Sequence, residues 1–355
     1  MRLTEVRLDN FRNLASGTLE VPFGGAVLVG DNGQGKTNLL EAIQYLAAFR
    51  SFRGVGHGDA IAFGSEHFRV QGHVEYADGR SRTVAVAADR QRRKIVVDGR
   101  EADRPGEARG ALLTVLLRPS DLALVDGEPA VRRRWLDALL ARAAAGYARA
   151  LREYDRVLRQ RNELLRGPER AAAPVIESWD EALVAAGGPL VEARSTLVRR
   201  LGGRFDEVAS AVAGDGAVRG YGLEYRPRPG PADDLAGLAA AWRAALVERY
   251  RRDRARGWTS VGPHRDDLAL SLGGRALGRF GSQGERRTAA IALRLLEAEV
   301  LEADTGHRPV LLLDDVFTEL DAERAARLLE WLGDRHQRFI TSPRALPGVD
   351  GSLAR

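Results

Sequence analysis

With 355 residues, the chain has room for one large or two modest domains and a substantial core. No apolar run approaches the ~20 residues that span a bilayer, and the absence of cysteine excludes disulfides and thiolate metal sites, in keeping with a cytoplasmic protein. A net charge of +5 leans toward a polyanionic partner, though only mildly, because the 54 basic residues are nearly matched by 49 acidic ones.

Residues 1–118 read as strand-rich. Strands are predicted over 2–11, 26–29, 68–76, 83–87, 94–97 and 112–117. The first alternates apolar and polar residues, the pattern of a strand rather than a signal peptide. Asp98-Gly99 marks a hairpin turn after the fifth. The short apolar second strand feeds Gly30-Asp31-Asn32-Gly33-Gln34-Gly35-Lys36-Thr37, which fits G-x-x-x-x-G-K-[ST] at every fixed position. Glycines let such a loop curl so that successive N–H groups point at phosphate oxygens. A helix predicted from Asn38 to residue 48 adds the positive end of its dipole. Lys36 is placed to reach the β- and γ-phosphates, and the Thr37 hydroxyl to hold Mg²⁺. Lysine occurs only twice in the chain, as Lys36 and Lys94, so chance does not easily put one here.

From 119 to 257 the texture changes to alanine, leucine and arginine at helical spacing. One long pattern covers 130–165. A second covers 177–201 and is interrupted near Gly187-Gly188-Pro189, where a kink or break is expected. A third covers 235–254, with a strand at 218–225 and a Pro-rich loop at 226–231 between them. Candidate phosphate contacts for a nucleic acid are Arg50, Arg53, Arg132, Arg133, Arg156 and Arg159, with Arg134, Arg161, Arg251, Arg252 and Arg254 beside them. The plainer alternative is a solvated helix face paired to Glu153, Asp155 and Glu163. A DNA-facing stripe would bind with strong salt dependence and little sequence preference.

Beyond 258 come a strand at 268–272, then Ser282-Gln283-Gly284-Glu285 opening a helix that runs to 301. Ser282 with Glu285 three residues on is a capping box; a serine and backbone amides at a helix start also form an anion pocket. An apolar strand at 310–313 ends in Asp314 and Asp315. Asp314 suits the Mg²⁺ site, and Asp315 suits orientation of an attacking water. Thr318-Glu319-Leu320-Asp321 follows, with Thr318 the candidate cap of a helix at 322–332, and a last strand is expected at 338–341. Lys36, Asp314 and Asp315 are the candidate catalytic residues. The six histidines show no close metal spacing, and His264 reads as a surface or hydrogen-bonding residue.

Glycine loop, serine signature, Asp-Asp strand and Glu319-Leu320-Asp321 in that order resemble the ATP-binding cassette clan. Within it the chain resembles the RecF recombination-mediator family, through Asp9-Asn10-Phe11-Arg12-Asn13-Leu14, the glycine loop, Arg118-Pro119-Ser120-Asp121-Leu122, Arg132-Arg133-Arg134-Trp135-Leu136-Asp137 and Gly262-Pro263-His264-Arg265-Asp266-Asp267-Leu268. The resemblance implies an α/β fold: an ABC-type P-loop ATPase head made from 1–118 plus 258–355, with an inserted, mainly helical lobe at 119–257. It implies that Arg12 and Asn13 touch ATP, that Glu319 and Asp321 form the D-loop, and that Ser282, Gln283 and Gly284 read the ATP of a second subunit. An ATP-dependent homodimer on gapped or junction DNA, working with RecO and RecR to load a recombinase, is the implied function. Two departures stand out: Glu285 where the clan more often has Gln, and Asp315 where many members carry Glu, whose longer side chain holds water better. Rival readings are a membrane-transporter ATPase and an SMC-like structural head. The long spacing from Lys36 to Ser282, and a last strand ending Thr341-Ser342 with no histidine, disfavour the transporter. The lack of sustained heptads argues against a built-in coiled coil.

Overall fold

The computed structural model describes residues 1–167, 173–214, 220–230 and 234–345. In chain order the elements are β1 (Arg2–Asp9), β2 (Gly17–Glu20), β3 (Gly25–Val29), α1 (Lys36–Ala48), β4 (His67–Glu75), β5 (Ser81–Asp89), β6 (Arg93–Val97), β7 (Arg100–Glu101) and β8 (Thr114–Leu117). There follow α2 (Ala123–Asp126), α3 (Pro129–Ala143), α4 (Tyr147–Arg166), α5 (Ala173–Ala213), β9 (Tyr221–Arg226) and α6 (Leu235–Arg256). The last stretch holds β10 (Asp267–Leu272), β11 (Arg275–Ala276), α7 (Leu277–Phe280), α8 (Gln283–Thr305), β12 (Val310–Leu313), α9 (Ala322–Leu332) and β13 (Arg338–Ser342). No helix among the described residues is long and apolar enough to cross a membrane.

The chain divides into two compact units. Unit 1 is Met1–Asp121, Ala211–Gly214 and Ile291–Arg355; unit 2 is Leu122–Ser210 and Asp215–Ala290. The return to unit 1 therefore falls inside α8, not at residue 258. The cause is strand pairing: β10 pairs antiparallel with β9 over six residues, Asp267↔Arg226 through Leu272↔Tyr221, which keeps it in unit 2. Ser282 belongs to that unit as well.

Unit 1 carries two sheets. One is antiparallel, in the order β2-β1-β4-β5-β6-β7, and includes the Asp98-Gly99 hairpin, where Val97 pairs with Arg100. The other is parallel, in the order β3-β13-β12-β8. Parallel strands are covered on both faces and so read as continuous apolar runs; Val310, Leu311, Leu312 and Leu313 all have no exposed surface. Leu40, Ile43 and Leu46 of α1 are buried in the same core as β1, β4 and β5. Phe11, Tyr45 and Phe68 meet edge to face there, with ring centroids 5.2–5.8 Å apart. Gln337 accepts from Leu3 N at 2.7 Å and donates to Leu3 O at 2.8 Å, tying the first strand to the start of the last.

Unit 2 combines α3–α6 with the three-stranded antiparallel sheet β11-β10-β9. The long pattern at 130–165 is two helices, because Gly146, in the left-handed region at φ 85°, caps a new one. Of the kink or break expected at residues 187–189, the break does not occur: α5 runs through Pro189. Gly187 serves packing instead, since a Cβ there would lie 2.2 Å from the ring of buried Trp242.

Candidate nucleotide site

The glycine loop leaves β3 and ends at the start of α1, with all of its parts in unit 1. Gly35 is the N-cap of α1 at φ 97°, and a Cβ there would come within 2.8 Å of Leu14 and 3.0 Å of Asn13 Oδ1, so both conformation and space require glycine. Lys36 Nζ folds back over the loop and donates to the carbonyls of Gly30 at 2.6 Å and Asp31 at 2.8 Å. Asp31, Asn32 and Gln34 are exposed along it, and Gly33 stands in the left-handed region. Asn13 Nδ2 donates to Gly33 O at 3.1 Å, while Asn13 Oδ1 accepts from Asn38 Nδ2 at 2.6 Å. The segment at 9–14 thus buttresses the loop.

Sheet order brings in the other end of the chain. β13 lies between β3 and β12, so the loop and the Asp-Asp turn sit at the same carboxyl edge, one strand apart. Thr37 Oγ1 donates to Asp314 Oδ1 at 2.8 Å across 277 residues of sequence. Thr341, on the intervening strand, donates to Asp314 Oδ1 at 3.0 Å and accepts from Asp315 N at 2.8 Å. Asp315 adopts the left-handed conformation at φ 51°, which turns the chain sharply after β12. Burial raises the Asp314 carboxyl above the usual carboxylate range, against the hydrogen bonds from Thr37 and Thr341. A hydroxyl and a desolvated carboxylate 2.8 Å apart fit a hard, oxygen-seeking cation. Thr37 and Asp314 would hold Mg²⁺, which would neutralise phosphate charge there. Among the described residues, no cluster of three or more His, Asp or Glu side chains offers another metal site.

A buried carboxylate next to this loop escaped the sequence reading. Glu41 on α1 has no exposed surface. It accepts two bonds from Arg12, at 2.7 and 3.1 Å, and one from the Ser51 hydroxyl, and it lies 3.3 Å from Arg53 Nε. Arg53 also donates to Asn38 Oδ1 at 2.6 Å. Arg12 and Arg53 are therefore anchored to the helix that follows the loop. The available signal was an acidic residue inside the apolar run Leu39-Leu40-Glu41-Ala42-Ile43. Thr341 carried no signal of its own.

In unit 2, Ser282 and Glu285 form the capping box: Ser282 N donates to Glu285 Oε2 at 2.6 Å, and Glu285 N to Ser282 Oγ at 3.3 Å. Ser282 and Gln283 are exposed, and Gly284 is half-buried. The cap of α9 is Asp321, which accepts from Arg324 N at 2.9 Å; Thr318 instead donates to Asp315 O. Glu319 is half-buried in the turn before it.

The basic residues sort by burial. Arg132 is not a surface contact: it is buried and grips both oxygens of Asp267 at 2.8 and 3.1 Å. Arg161 is fully buried against Asp180 at 2.6 Å. Both sit on the inner face of their helices, an assignment that charge alone does not make. Arg133 is half-buried and donates to Asp266 O at 2.7 Å. Arg156 pairs with Glu153 at 2.6 Å on an exposed face, while Arg50 and Arg159 are exposed. The motifs at 132–137 and 262–268 thereby meet: Arg132 holds Asp267, and Arg194 joins Asp137 at 2.7 Å to Pro263 O at 2.8 Å. His264 Nε2 donates to Thr259 O at 2.9 Å, which leaves Nδ1 to accept from Tyr154 at 2.6 Å; burial lowers its pKa to about 4.

A family model described as the RecF/RecN/SMC N terminal domain matches residues 2–346. The DNA replication and repair protein RecF of Myxococcus xanthus is 37% identical over 357 residues, covering 100% of this chain and 92% of that protein. The chain belongs to the RecF family. The RecF of Frankia alni is 39% identical over 96% of this chain and 93% of its own length. A solved structure of the recombination mediator protein RecF-ATP in the RecFOR pathway matches with a TM-score of 0.87 at 32% identity, covering 98% of this chain and 93% of that one. An Smc head domain from Pyrococcus furiosus, solved bound to the C-terminal domain of ScpA, matches at TM-score 0.56 and 15% identity over 96% of this chain and 89% of that one; this shows the shared fold. The architecture is the α/β, ABC-type ATPase head expected from the motifs, and RecF membership sets the transporter reading aside.

Proposed function

We propose that this protein is an ATP-gated DNA-binding recombination mediator. ATP gripped by Gly30–Thr37 of one subunit completes a surface read by Ser282 of another, and the dimer holds gapped DNA or a single-strand/double-strand junction. With RecO and RecR it promotes loading of the recombinase, and hydrolysis, oriented by Asp315, reopens it. Turnover is slow because aspartate reaches less far than glutamate toward the attacking water, and DNA binding stimulates it. The observation that carries this reading is the match over 98% of the chain to a RecF solved with ATP and described as a recombination mediator. Two local features support it. Thr37 Oγ1 lies 2.8 Å from Asp314 Oδ1, a pairing that suits a phosphate-bound Mg²⁺. In the capping box Ser282 Oγ serves as an acceptor from the backbone, so its hydroxyl proton remains available to a phosphate oxygen.

Sedimentation velocity with and without ATP, Mg²⁺ and gapped DNA tests it. The wild-type chain should change from monomer to dimer with ATP and co-sediment with gapped DNA. Ser282→Arg should bind ATP normally yet stay monomeric. An ATP-induced dimer of that variant would refute the cross-subunit role.

A further inference from the structure

Unit 2 contains a hollow of about 430 Å³ lined by Arg133, Arg228, Arg249, Arg252, Arg256 and Arg265. The one acidic side chain on its wall is Glu128. Several arginines elsewhere in the unit do find carboxylates, as Arg132 does with Asp267, Arg161 with Asp180 and Arg243 with Glu181. Among the described residues, Arg228, Arg249, Arg252, Arg256 and Arg265 make no ion pair. Their concentration has a structural cause. Residues 249, 252 and 256 recur at three- and four-residue spacing on α6 and so share a face. Gly257 then turns the chain at φ 72°, which places Trp258 and Ser260 in the wall behind them. The guanidiniums of Arg265 and Arg256 both stack on the Trp258 ring, 4.0 and 5.3 Å from its centroid. Stacking fixes a guanidinium in space while leaving its in-plane N–H groups free to donate. Ser260 Oγ, also in the wall, is buried and makes no hydrogen bond among the described residues.

We propose that this hollow is an anion site for consecutive phosphate groups, separate from the glycine loop. Six guanidiniums against one carboxylate repel one another, and a phosphate chain would offset that repulsion while accepting bidentate bonds. The volume falls in the range of small-ligand sites, ~300–1,000 Å³, so it admits two or three phosphates with their esters. Burial is the main cause that lowers the pKa of Arg133, with Arg194 and, more weakly, Arg265 of the hollow acting in the same direction. The phosphates can come from a nucleic-acid backbone, which rests on the DNA-binding reading above, or from a free oligophosphate.

The double variant Arg252→Glu/Arg256→Glu tests the site; both residues are exposed, so the fold should survive, as a melting control verifies. In one arm, tripolyphosphate is titrated calorimetrically into protein saturated with a non-hydrolysable ATP analogue, so that the head site is filled. In the other, anisotropy of a labelled single-stranded oligonucleotide is followed across salt. A backbone site predicts at least tenfold weaker oligonucleotide binding in the variant. Two lost contacts at ~0.7 each should also reduce the salt slope by about 1.4. A free-oligophosphate site predicts tripolyphosphate binding that the variant loses, with oligonucleotide binding unchanged. If the variant matches the wild type with both probes, or neither probe binds the wild type, the proposal fails. ATP-induced dimerisation, measured on the same variant, reports on the head separately and should be unaffected.

Discussion

Glu41 offers a sharp test of how the head is held together. Its carboxylate is fully buried and compensated by Arg12, Arg53 and the Ser51 hydroxyl, all beside the glycine loop. Glu41→Ala removes the only carboxylate these two guanidiniums have among the described residues. Breaking a buried pair from one side costs about 3–5 kcal/mol, because the other charge stays desolvated. The Arg12 side chain is 15% exposed and that of Arg53 36%, so water partly rescues both and the low end applies, about 3 kcal/mol. For a unit of this size, ~2–4 °C per kcal/mol converts that to a fall of about 10 °C in melting temperature. Differential scanning calorimetry measures it directly. Removing the more buried pair together, in Arg12→Met/Glu41→Leu, should recover much of the loss, since apolar replacement of a buried pair is close to neutral and the remaining Arg53 reaches water. The reasoning is refuted if Glu41→Ala costs less than about 1 kcal/mol, or if the double variant is no more stable than the single one.

Two further outcomes follow from the same structure. Lys36→Ala should leave the fold intact but weaken nucleotide binding by about 100-fold, the loss of roughly 3 kcal/mol of charge-assisted bonding, read from titration of a fluorescent ATP analogue; normal binding would exclude Gly30–Thr37 as the site. His264, with a pKa of about 4 against 6.5 when unfolded, is neutral in the native state. Its contribution is fully present above pH 6.5 and is lost as pH falls toward 4, by about 3 kcal/mol in all. His264→Gln keeps a donor for Thr259 O and an acceptor for Tyr154, so it should flatten the acid limb of urea-denaturation stability against pH; an unchanged limb would mean that another group sets it.

Most of the strands, and the strand–loop–helix setting of the glycine loop, are legible in the sequence. The bounds of helix 322–332 agree with the sequence pattern, because Leu328 and Leu332 face inward at helical spacing, but its cap is Asp321 and not the expected Thr318. The misreadings share a cause. Gly187-Gly188-Pro189 looks like a break because glycine and proline are poor helix formers, yet α5 continues where Gly187 makes room for Trp242, a partner 55 residues away. Arg132 and Arg161 look like surface charge until Asp267 and Asp180 appear opposite them.

The sequence by itself determined the family and the setting of the glycine loop between a strand and a helix. Those rest on residue types at short, fixed spacing, where backbone geometry leaves few alternatives. Tertiary structure alone decided that β13 stands between loop and carboxylates with Thr341 bonding to Asp314 and Asp315, that the return to unit 1 lies within α8, and which arginines are paired and which line the hollow in unit 2. Each of these depends on pairing between segments tens to hundreds of residues apart, and no local propensity encodes such a choice.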